Sequence, residues 1–480
     1  MAVRSVPVRS VSVRSVIVIG AGMGGLSAAL RLARAGHAVR VIEARPGPGG
    51  LAAGFELDGL PFDAGPYVLL DRPGLEWAFQ AVGLELAEHV PLQRIEDFYE
   101  VLTPDGTRVR FLADIEATAA GFERQWPGSG RRYVDHVNAV TQIYRRLELL
   151  QRISRPGAWA LIRSGGWRHL PFLLRSLDGV LARTRLPQPV QGALAIWTHI
   201  AGQRVEQAPS PLAFVPALMH GVGAFYPIGG IGRIPHALAA AAQRHGVELE
   251  YGVKVTAIQQ RAGRASAVVT DRGEVHAADA ILSNAAGIGT YLNLLESPPP
   301  KLRSRLEPLP LQSPGVAAYL AVKGKIAPPY LRFYLPGGEE RCRCLVMPAV
   351  MEPSVQRDGW HSARLIVPMD HARAQAVGPA GQREYLESIL AEAWWREHID
   401  DYRVLATRIP AQWGEQYNLY RDSMNPVMTA QFMRAGRLAH RSPHVPGLYL
   451  AGSATHPGQW VSFCAISGVL AADKVLEDIA

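Results

Sequence analysis

The sequence predicts an α/β protein with three parts: a parallel sheet covered by helices, an α+β second domain with an antiparallel sheet, and a helical insert. Three observations support this prediction. A short apolar strand near the N-terminus runs into a glycine-rich turn and a helix, similar apolar strands return later, and alternating apolar segments lie between them. A chain of 480 residues also exceeds the roughly 250 to 300 residues that one hydrophobic core can serve.

Composition is typical of a globular protein from a reducing compartment. Hydrophobic residues make up 48% of the chain, the net charge is +8, and three cysteines are too few for a disulfide framework. The sequence has no basic run interleaved with aromatic platforms and no His/Cys cluster beside Cys342 and Cys344, so we expect neither nucleic acid nor a metal as ligand. The N-terminal stretch repeats Val-Arg-Ser-Val and lacks the apolar core of a signal peptide, which predicts a flexible arm on a cytoplasmic protein.

The residue pattern over 16–43 predicts a strand, a glycine turn, a helix and a second strand. Gly20, Gly22 and Gly25 follow G-x-G-x-x-G: the first makes the tight turn, the second lets backbone approach a pyrophosphate, and the third lets helix and strand pack closely. Glu43 ends the second strand, where a carboxylate accepts hydrogen bonds from ribose hydroxyls and disfavours a 2′-phosphate. The segment therefore predicts a Rossmann-like dinucleotide-binding domain.

The residues after Glu43 favour FAD over NAD as the dinucleotide. Arg45, Gly49 and Gly50 extend the cradle beyond the ribose, and FELDGLPFDAG at residues 55–65 reads as two short strands joined by a tight turn. An NAD domain would instead proceed directly to another strand–helix unit. We therefore expect FAD as the cofactor.

At Phe62-Asp63-Ala64-Gly65-Pro66 the sequence resembles the second FAD signature of the phytoene desaturase and carotenoid isomerase family, within the wider amine-oxidase-like flavoproteins. Two positions depart from the family pattern: Leu51 stands where arginine is usual, and Tyr67 where threonine or serine is common. The resemblance covers nearly the whole chain. Together with the glycine motif it implies these cofactor-binding residues in the first segment: Gly20, Gly22, Met23, Gly25, Glu43, Ala44, Arg45, Gly49, Gly50, Leu51, Ala52, Gly65, Pro66 and Tyr67.

Later segments match the family's return to the FAD domain. Residues 221–258 contain a strand end, Gly229-Gly230, a helix and a strand ending near Val255, whose backbone meets the adenine in similar flavoproteins. Residues 278–295 contain another apolar strand, and SPGVAAYLAVKG then reads as part of the antiparallel sheet of a second domain.

These matches predict four regions. They are a flexible N-terminal arm at 1–15, a discontinuous FAD-binding domain at 16–75, 215–290 and 436–480, a substrate domain at 76–143 and 291–435, and a helical, membrane-associating lid at 144–214.

From Tyr144 to Ala201 the lid is helical in pattern, apolar and rich in arginine. In this stretch the only acidic residues are Glu148 and Asp178, and aromatic residues are interspersed among the arginines: Arg145, Arg146, Arg152, Arg155, Arg163, Arg168, Arg175, Arg183 and Arg185, with Trp159, Trp167, Phe172 and Trp197. Such a segment fits the headgroup boundary of an anionic membrane, whereas the alternative is an ordinary lid with solvated or paired arginines. The resemblance favours peripheral membrane association, because similar desaturases take lipid-dissolved substrates from the bilayer.

Near the C-terminus an apolar strand ends at Gly452 and leads through Thr-His-Pro-Gly at 455–458 into a helix of small residues. The tetrapeptide resembles the family's own, which implies that the strand ends at FAD and that the helix N-terminus points at the flavin. The cofactor contacts implied beyond the first segment are Val255, Gly452, Ser453, Trp460, Val461 and Ser462, and the implied substrate pocket is Trp460, Phe463, Tyr67 and Tyr226. The two large rings replace the small residues or proline of related desaturases and would narrow the space beside the flavin.

Two side chains are candidates for acid–base catalysis. His456 is of the residue type most often used near neutral pH, although its turn also suits a purely structural role. Glu415 is the second candidate. Tyr417 and His220 are weaker candidates, and we expect both to be structural.

The resemblance implies an FAD-dependent oxidoreductase that introduces C=C bonds into a long apolar isoprenoid or carotenoid-type substrate by hydride transfer to flavin. A redox-neutral carotenoid-type isomerase and a saturase are open alternatives. A flavin-free prenyl-binding carrier is an alternative of another class, against which Glu43 and the Gly49-Gly50 pair argue. No second G-x-G-x-x-G follows a strand in the sequence, which predicts a quinone or oxygen as electron acceptor.

Overall fold

A computed structural model describes residues 13–338 and 340–479 of the chain. The arm predicted at residues 1–15 therefore lies outside the described residues, apart from its last three positions. Residue 15 begins the first strand.

The described residues form strands with these bounds: β1 (Ser15–Ile19), β2 (Ala38–Glu43), β3 (Gly54–Leu57), β4 (Leu60–Asp63), β5 (Leu92–Arg94), β6 (Asp97–Leu102), β7 (Arg108–Leu112), β8 (Phe225–Pro227), β9 (Glu248–Tyr251), β10 (Val255–Arg261), β11 (Arg264–Thr270), β12 (Val275–Ala277), β13 (Ala280–Ser283), β14 (Leu311–Gln312), β15 (Val316–Gly324), β16 (Leu331–Tyr334), β17 (Arg343–Val346), β18 (His361–Val367), β19 (Ile399–Arg408), β20 (Asn425–Pro426) and β21 (Leu448–Leu450).

The helices have these bounds: α1 (Met23–Arg34), α2 (Arg72–Ala81), α3 (Leu86–His89), α4 (Ile115–Gln125), α5 (Ser129–Leu147), α6 (Ala158–Arg163), α7 (Leu170–Leu173), α8 (Leu177–Leu181), α9 (Gln188–Ile200), α10 (Phe214–Gly221), α11 (Arg233–Arg244), α12 (Pro300–Leu306), α13 (His371–Ala391, interrupted at Gly378), α14 (Pro410–Tyr417) and α15 (Val461–Ile479). Short 3-10 and π turns connect several of them.

A five-stranded parallel sheet, in the order β21-β13-β1-β2-β9, forms the centre of the cofactor half. Its central strand β1 is apolar on both faces: Val16 and Val18 pack into one core, and Ile17 and Ile19 into another. Burial on both faces explains the continuous apolar run in the sequence. The predicted α/β class with a parallel sheet is confirmed.

Helices α1 and α15 pack closely on one face of this sheet. A Cβ on Gly468 would collide with the carbonyl oxygen of Gly24, so the two helices meet backbone to backbone. Leu75, Ala78 and Phe79 of α2 belong to the same core. The limit predicted after residue 75 falls inside α2, whose apolar face packs on the cofactor half.

The second sheet has seven strands in the order β19-β15-β18-β17-β16-β6-β7. Most neighbours are antiparallel, but β16 and β6 are parallel, which the prediction of an antiparallel sheet missed. The segment near Val255 also differs from its prediction. The parallel strand β9 ends at Tyr251, and Val255 begins β10 of a separate three-stranded antiparallel sheet.

The region predicted as a lid contains short helices and turns between α5 and α10. Its predicted start at residue 144 falls inside α5, which runs on to Leu147. Val190, Leu194 and Ile196 of α9 pack in the core that β6 and β16 also share, so part of the region is an ordinary interior layer. Within the described part of the chain, none of the helices combines the length and the apolar character needed to span a bilayer.

Candidate cofactor and substrate site

The glycine turn after β1 has the geometry that its motif predicts. Gly20 has a φ of +92°, which favours glycine, and its N–H donates to the Ile42 carbonyl at 2.8 Å. A Cβ on Gly25 would collide with the Gly20 carbonyl oxygen, so the third glycine serves helix–strand contact. Helix α1 begins after Gly22 without a side-chain cap, which leaves its first N–H groups available to an anion.

Glu43 ends β2 at the edge of this turn and is buried. Its carboxylate accepts hydrogen bonds from the backbone N–H of Ala21 at 2.7 Å and of Arg45 at 2.8 Å. Burial raises the pKa of Glu43, and the hydrogen bonds from Arg45 and Ala21 oppose that effect in part. The carboxylate is thus held rigidly where a ribose would be recognised.

Gly49 and Gly50 continue the cradle beside α1. Both have positive φ, +114° and +53°, and the Gly49 N–H donates to the Ala21 carbonyl at 2.8 Å. The Arg45 guanidinium lies 4.2 Å from the centre of the Tyr417 ring, and its buried Nη1 has no hydrogen-bond partner. An orphaned guanidinium nitrogen beside a glycine cradle is the donor expected for an anionic dinucleotide.

Asn284 is a site residue that sequence reasoning did not single out. It follows β13, and its backbone N–H donates to the Ile19 carbonyl at 2.8 Å. A Cβ on Gly22 would lie 2.5 Å from the Asn284 amide nitrogen, and a Cβ on Gly24 or Gly452 would lie 2.6 or 2.9 Å from its amide oxygen. Three glycines therefore make room for one amide. Its position after a buried parallel strand is the only sequence signal for this role.

These observations test whether the residues fit FAD, and they do. The cradle supplies glycines at the positions a Cβ would fill, an acid at the ribose position, and an unpartnered buried guanidinium. Within the described residues, no cluster of three or more histidine, cysteine or acidic side chains could hold a metal ion.

The cradle opens into one continuous cavity of about 1400 Å³. Gly22, Glu43 and Asn284 line one part of it, while Leu161 and Phe214 from the helical region line another. All the predicted cofactor-binding residues line this cavity except Gly25, which instead packs against Gly20. The structure therefore brings together three distant segments of the chain around one space.

The loop at residues 63–67 is held from behind by the second sheet. Arg364 of β18 donates to the carbonyls of Asp63 and Gly65, the latter at 2.6 Å, and lies 5.6 Å from the Tyr67 ring centre. The Tyr330 hydroxyl donates to the Tyr67 carbonyl at 2.5 Å. Burial raises the pKa of Asp63 to about 6. These contacts fix the backbone at the position of the second FAD signature.

Trp460 and Phe463 form the aromatic pair at the start of α15. Their rings stack with centres 5.0 Å apart and an angle of 12° between planes, and both line the cavity with Tyr67. Tyr226, predicted as a pocket residue, is not among the residues that line the cavity. Pairing of β8 with β5 directs this tyrosine into the core, where its ring contacts Tyr330 at 5.9 Å.

His456 lies in the turn before α15 and lines the cavity. Its Nε2–H donates to the Leu150 carbonyl at 2.9 Å, and its own carbonyl accepts from Nε2 of His440 at 2.9 Å. Burial lowers the pKa of His456 to about 4. The imidazole is therefore neutral at pH 7, a weak base, and tied to the helical region.

The other acid–base candidates lie away from the aromatic pair. Glu415 lines the cavity but is exposed on α14, two residues before Tyr417, whose ring lies beside Arg45 at the nucleotide end of the cavity. His220 contacts Tyr133 at 2.7 Å and the Ala113 carbonyl at 3.0 Å, away from the cavity. The arrangement brings neither side chain to the aromatic pair.

Comparison with known proteins gives relatives over nearly the whole chain. A zeta-carotene-forming phytoene desaturase of Myxococcus xanthus is 28% identical, with 96% of this chain and 93% of that protein covered. A 4,4'-diapolycopene oxygenase of a Methylomonas species is 26% identical, with 97% and 98% covered. An oxidoreductase from Methanosarcina mazei has a similar fold, with a TM-score of 0.65, 18% identity, and 96% and 100% covered.

A solved putrescine oxidase also shares the fold, with a TM-score of 0.63, 17% identity, and 97% and 99% of the two chains covered. The model of the family described as flavin containing amine oxidoreductase matches residues 23–329, more than half of the chain. That match begins at α1 and includes the hairpin of β3 and β4, the loop at residues 63–67 and Asn284. The protein therefore belongs to the flavin-containing amine oxidoreductase family, and its cofactor is FAD.

Proposed function

We propose that this protein is an FAD-dependent desaturase that introduces C=C bonds into a long apolar isoprenoid of the carotenoid class. The observation that carries the proposal is the continuous cavity, in which a dinucleotide cradle leads into a wall of apolar side chains. The relatives named phytoene desaturase and carotenoid 3,4-desaturase support a substrate of this class.

Within this proposal the chain binds the cofactor and positions the substrate. Glu43 and Arg45 hold the adenosine half, and the loop at residues 63–67 with the start of α15 holds the flavin half. Bound FAD would supply the redox chemistry as hydride acceptor: the substrate would lose a hydride from one carbon and a proton from its neighbour, and the C=C bond would form between them. The stacked rings of Trp460 and Phe463 restrict the substrate path, and the apolar wall excludes water.

We propose a positioning role for His456, because its Nε2–H is used by the Leu150 carbonyl and its low pKa makes the ring a weak base. Glu415 takes no part in the proposed chemistry, since its helix lies at the nucleotide end.

Oxygen or a quinone is the proposed electron acceptor, because the sequence contains one dinucleotide motif. Stopped-flow reoxidation of the reduced enzyme by oxygen, a quinone and NAD(P)⁺ tests this choice. Reoxidation by NAD(P)⁺ at a comparable rate would contradict it.

The helical region is the proposed membrane-docking surface. Among the residues that the structure describes, eleven large hydrophobic side chains are exposed, and seven of them lie between residues 149 and 174: Leu149, Ile153, Trp159, Ile162, Trp167, Leu170 and Leu174. Leu161, Leu170 and Leu174 also line the cavity, so the apolar surface borders an entrance to the site. Exposed arginines flank this surface, as an anionic bilayer would favour: Arg145, Arg146, Arg155, Arg163 and Arg168.

Vesicle flotation tests the docking surface. The wild type is expected to float with vesicles containing phosphatidylglycerol, and Trp159→Ser combined with Leu174→Ser is expected to lower the bound fraction several-fold. Val404→Ser removes an exposed apolar side chain on β19, far along the chain from the helical region, and serves as the control. Equal flotation of all three proteins would contradict membrane docking by this surface.

Product analysis tests the proposed activity. FAD-loaded protein is incubated with vesicles containing phytoene or a partly desaturated carotenoid, and the products are separated by chromatography. Desaturation is expected to appear as products with longer conjugation and absorption at longer wavelength. Glu43→Ala leaves two buried N–H groups without their acceptor, and we expect FAD binding weaker by roughly 10- to 100-fold and a matching loss of product. Isomerised but unoxidised product, or no product from any isoprenoid, would contradict the proposal.

A further inference from the structure

Arg437 lies in the cavity wall between two segments that pack side by side. It follows the π turn Phe432–Gly436, and the adjacent Leu438 pairs with Thr455 of the C-terminal turn. Its Nη2 lies 3.4 Å from the place that a Cβ on Gly458 would take, next to the ring of Phe463. The guanidinium is thus part of the wall that also carries the aromatic pair.

The hydrogen bonds of this guanidinium are few and weak. Nη1 donates to the Thr455 carbonyl at 3.4 Å, Nη2 contacts the Met433 sulfur at 2.6 Å, and the buried Nε has no partner. A thioether is a weak acceptor. Among the described residues, no carboxylate forms an ion pair with Arg437. Burial lowers the pKa of Arg437 to about 10, so the group is still a cation at neutral pH.

Four acids line the same cavity, and none of them forms an ion pair with Arg437. Glu43 accepts hydrogen bonds from two backbone N–H groups of the cradle. Asp71 caps α2 by accepting from the Gly74 N–H at 3.2 Å, and it accepts a further hydrogen bond from the Tyr144 hydroxyl at 3.5 Å. Glu148 is half-buried and Glu415 is exposed, so solvent reaches both of these side chains. Because an unpaired cation is costly to bury, a ligand that brings an acceptor oxygen to Arg437 gains more than one that brings only carbon.

We propose that Arg437 binds an oxygen-bearing end group of the substrate, with a carboxylate as the best partner, so that the preferred substrate is an oxygenated isoprenoid. The proposal rests on the proposed function only in taking the cavity's occupant to be a long isoprenoid. Arg437 neighbours Met433 and Phe463, which belong to the apolar wall, whereas the glycine cradle surrounds the start of α1. The substrate is therefore a better source of the oxygen than the cofactor.

A binding experiment on the FAD-loaded protein tests this without turnover. The probes are all-trans-retinoic acid, retinol and anhydroretinol, three isoprenoid polyenes that share a skeleton and differ at its end. Quenching of tryptophan fluorescence reports binding, since Trp460 and Trp197 line the cavity. The wild type is expected to bind the acid roughly 10- to 100-fold more tightly than the hydrocarbon, with the alcohol between them.

Three variants complete the test. Arg437→Gln is expected to bind all three probes within about threefold of one another, and Arg437→Lys to keep part of the preference because the charge remains. Arg441→Gln, which removes an exposed arginine four residues further along the chain and outside the cavity lining, is the matched control and should behave like the wild type. Thermal unfolding of each FAD-loaded variant checks that the variant is folded. If Arg437→Gln does not fold, the comparison of Arg437→Lys with the wild type provides the test.

Two results would overturn the inference. One is equal binding of the three probes by the wild type. The other concerns Arg437→Gln: this variant would bind FAD more weakly in a flavin titration and still bind the three probes with the same order of affinity as the wild type. That result would make Arg437 a cofactor contact. Failure of the proposed function is separate: a protein that prefers retinoic acid through Arg437 but desaturates no isoprenoid loses the activity and keeps this inference.

Discussion

The aromatic pair at the start of α15 shows how single residues shape the substrate path. Trp460 and Phe463 lie one helical turn apart, and their stacked rings occupy the cavity beside Tyr67. Neither ring forms part of the glycine cradle. Their size therefore acts on what reaches the flavin more than on the binding of the cofactor.

Replacing the Trp460 ring tests whether it acts on the substrate or on the cofactor. Trp460→Gly is expected to change the substrate or product pattern, with kcat/KM for at least one carotenoid shifting roughly tenfold, while bound FAD per protein stays within about twofold of the wild type. Product chromatography and flavin absorption measure the two effects. Trp360→Gly, on the second sheet and outside the cavity, is a suitable control. A fall in FAD occupancy with an unchanged product pattern would show that the ring supports the cofactor instead.

At the scale of elements, the contact between α1 and α15 joins the two ends of the cofactor half. Gly24 and Gly468 let the helices touch through their backbones, and the same approach places the N-terminal end of each helix at the cavity. The Ser467 hydroxyl of α15 accepts a hydrogen bond from the Gly452 N–H at 2.9 Å. This bond ties α15 to the end of β21.

A methyl group at this crossing should force the helices apart. Gly468→Ala is expected to lower the free energy of unfolding by about 1 to 3 kcal/mol, because the added Cβ would collide with the Gly24 carbonyl. Gly47→Ala is the matched control, since a Cβ there meets no atom within 4 Å. Denaturant melts of both variants measure the difference. Equal stability of the two variants would mean that the helices can shift at no cost.

Two histidines, the buried His440 and the half-buried His456, join the helical region to the C-terminal turn. His456 bonds to the Leu150 carbonyl, and His440 bonds to Ser154 at 2.7 Å and to the His456 carbonyl. Burial lowers the pKa of His440 to about 3 and that of His456 to about 4, below the ordinary value of 6.5. The unfolded chain therefore binds protons at a higher pH than the folded protein does.

This difference gives the pH dependence a sign. The contribution of each histidine to stability is complete above pH 6.5 and is lost as the pH falls toward the folded pKa. For His440 the loss between pH 7 and pH 5 is about 2 kcal/mol. Denaturant melts at the two pH values should show a smaller loss in His440→Asn than in the wild type, with His245→Asn, at an exposed position, as control. An equal loss in all three proteins would contradict this account.

At the scale of the whole molecule, the cavity is the feature that all parts of the chain share. Its wall includes Gly22 and Asn284 from the parallel sheet, Ala317 and Ile366 from the second sheet, and Phe214 from the helical region. A ligand that fills it therefore stabilises the parts together.

FAD binding is expected to raise the stability of the protein as one unit. At a free FAD concentration 100 times its Kd, the free energy of unfolding should rise by about 2.7 kcal/mol. Scanning calorimetry with and without FAD should show one transition moving by a few degrees. Two transitions, of which only one moves, would show that the second sheet unfolds independently of the cofactor half.

Local spacing made the cofactor half predictable. The glycine turn, Glu43 and the Gly49-Gly50 pair act within a few residues of one another, so their pattern survives in the sequence. The predicted domain limits at residues 75 and 144 each fall inside a helix. The core to which such a helix belongs depends on what its apolar face packs against, and composition does not reveal this.

By itself the sequence determined the parallel sheet, the dinucleotide cradle and the choice of an acid at the ribose position, because each depends on residue types at short, regular intervals. Only the tertiary structure decided that Tyr226 faces the core, that Asn284 occupies the space left by three glycines, and that Arg437 lies in the cavity without a carboxylate. These facts depend on contacts between residues far apart in the chain, and such contacts exist only once the strands have paired and the helices have packed.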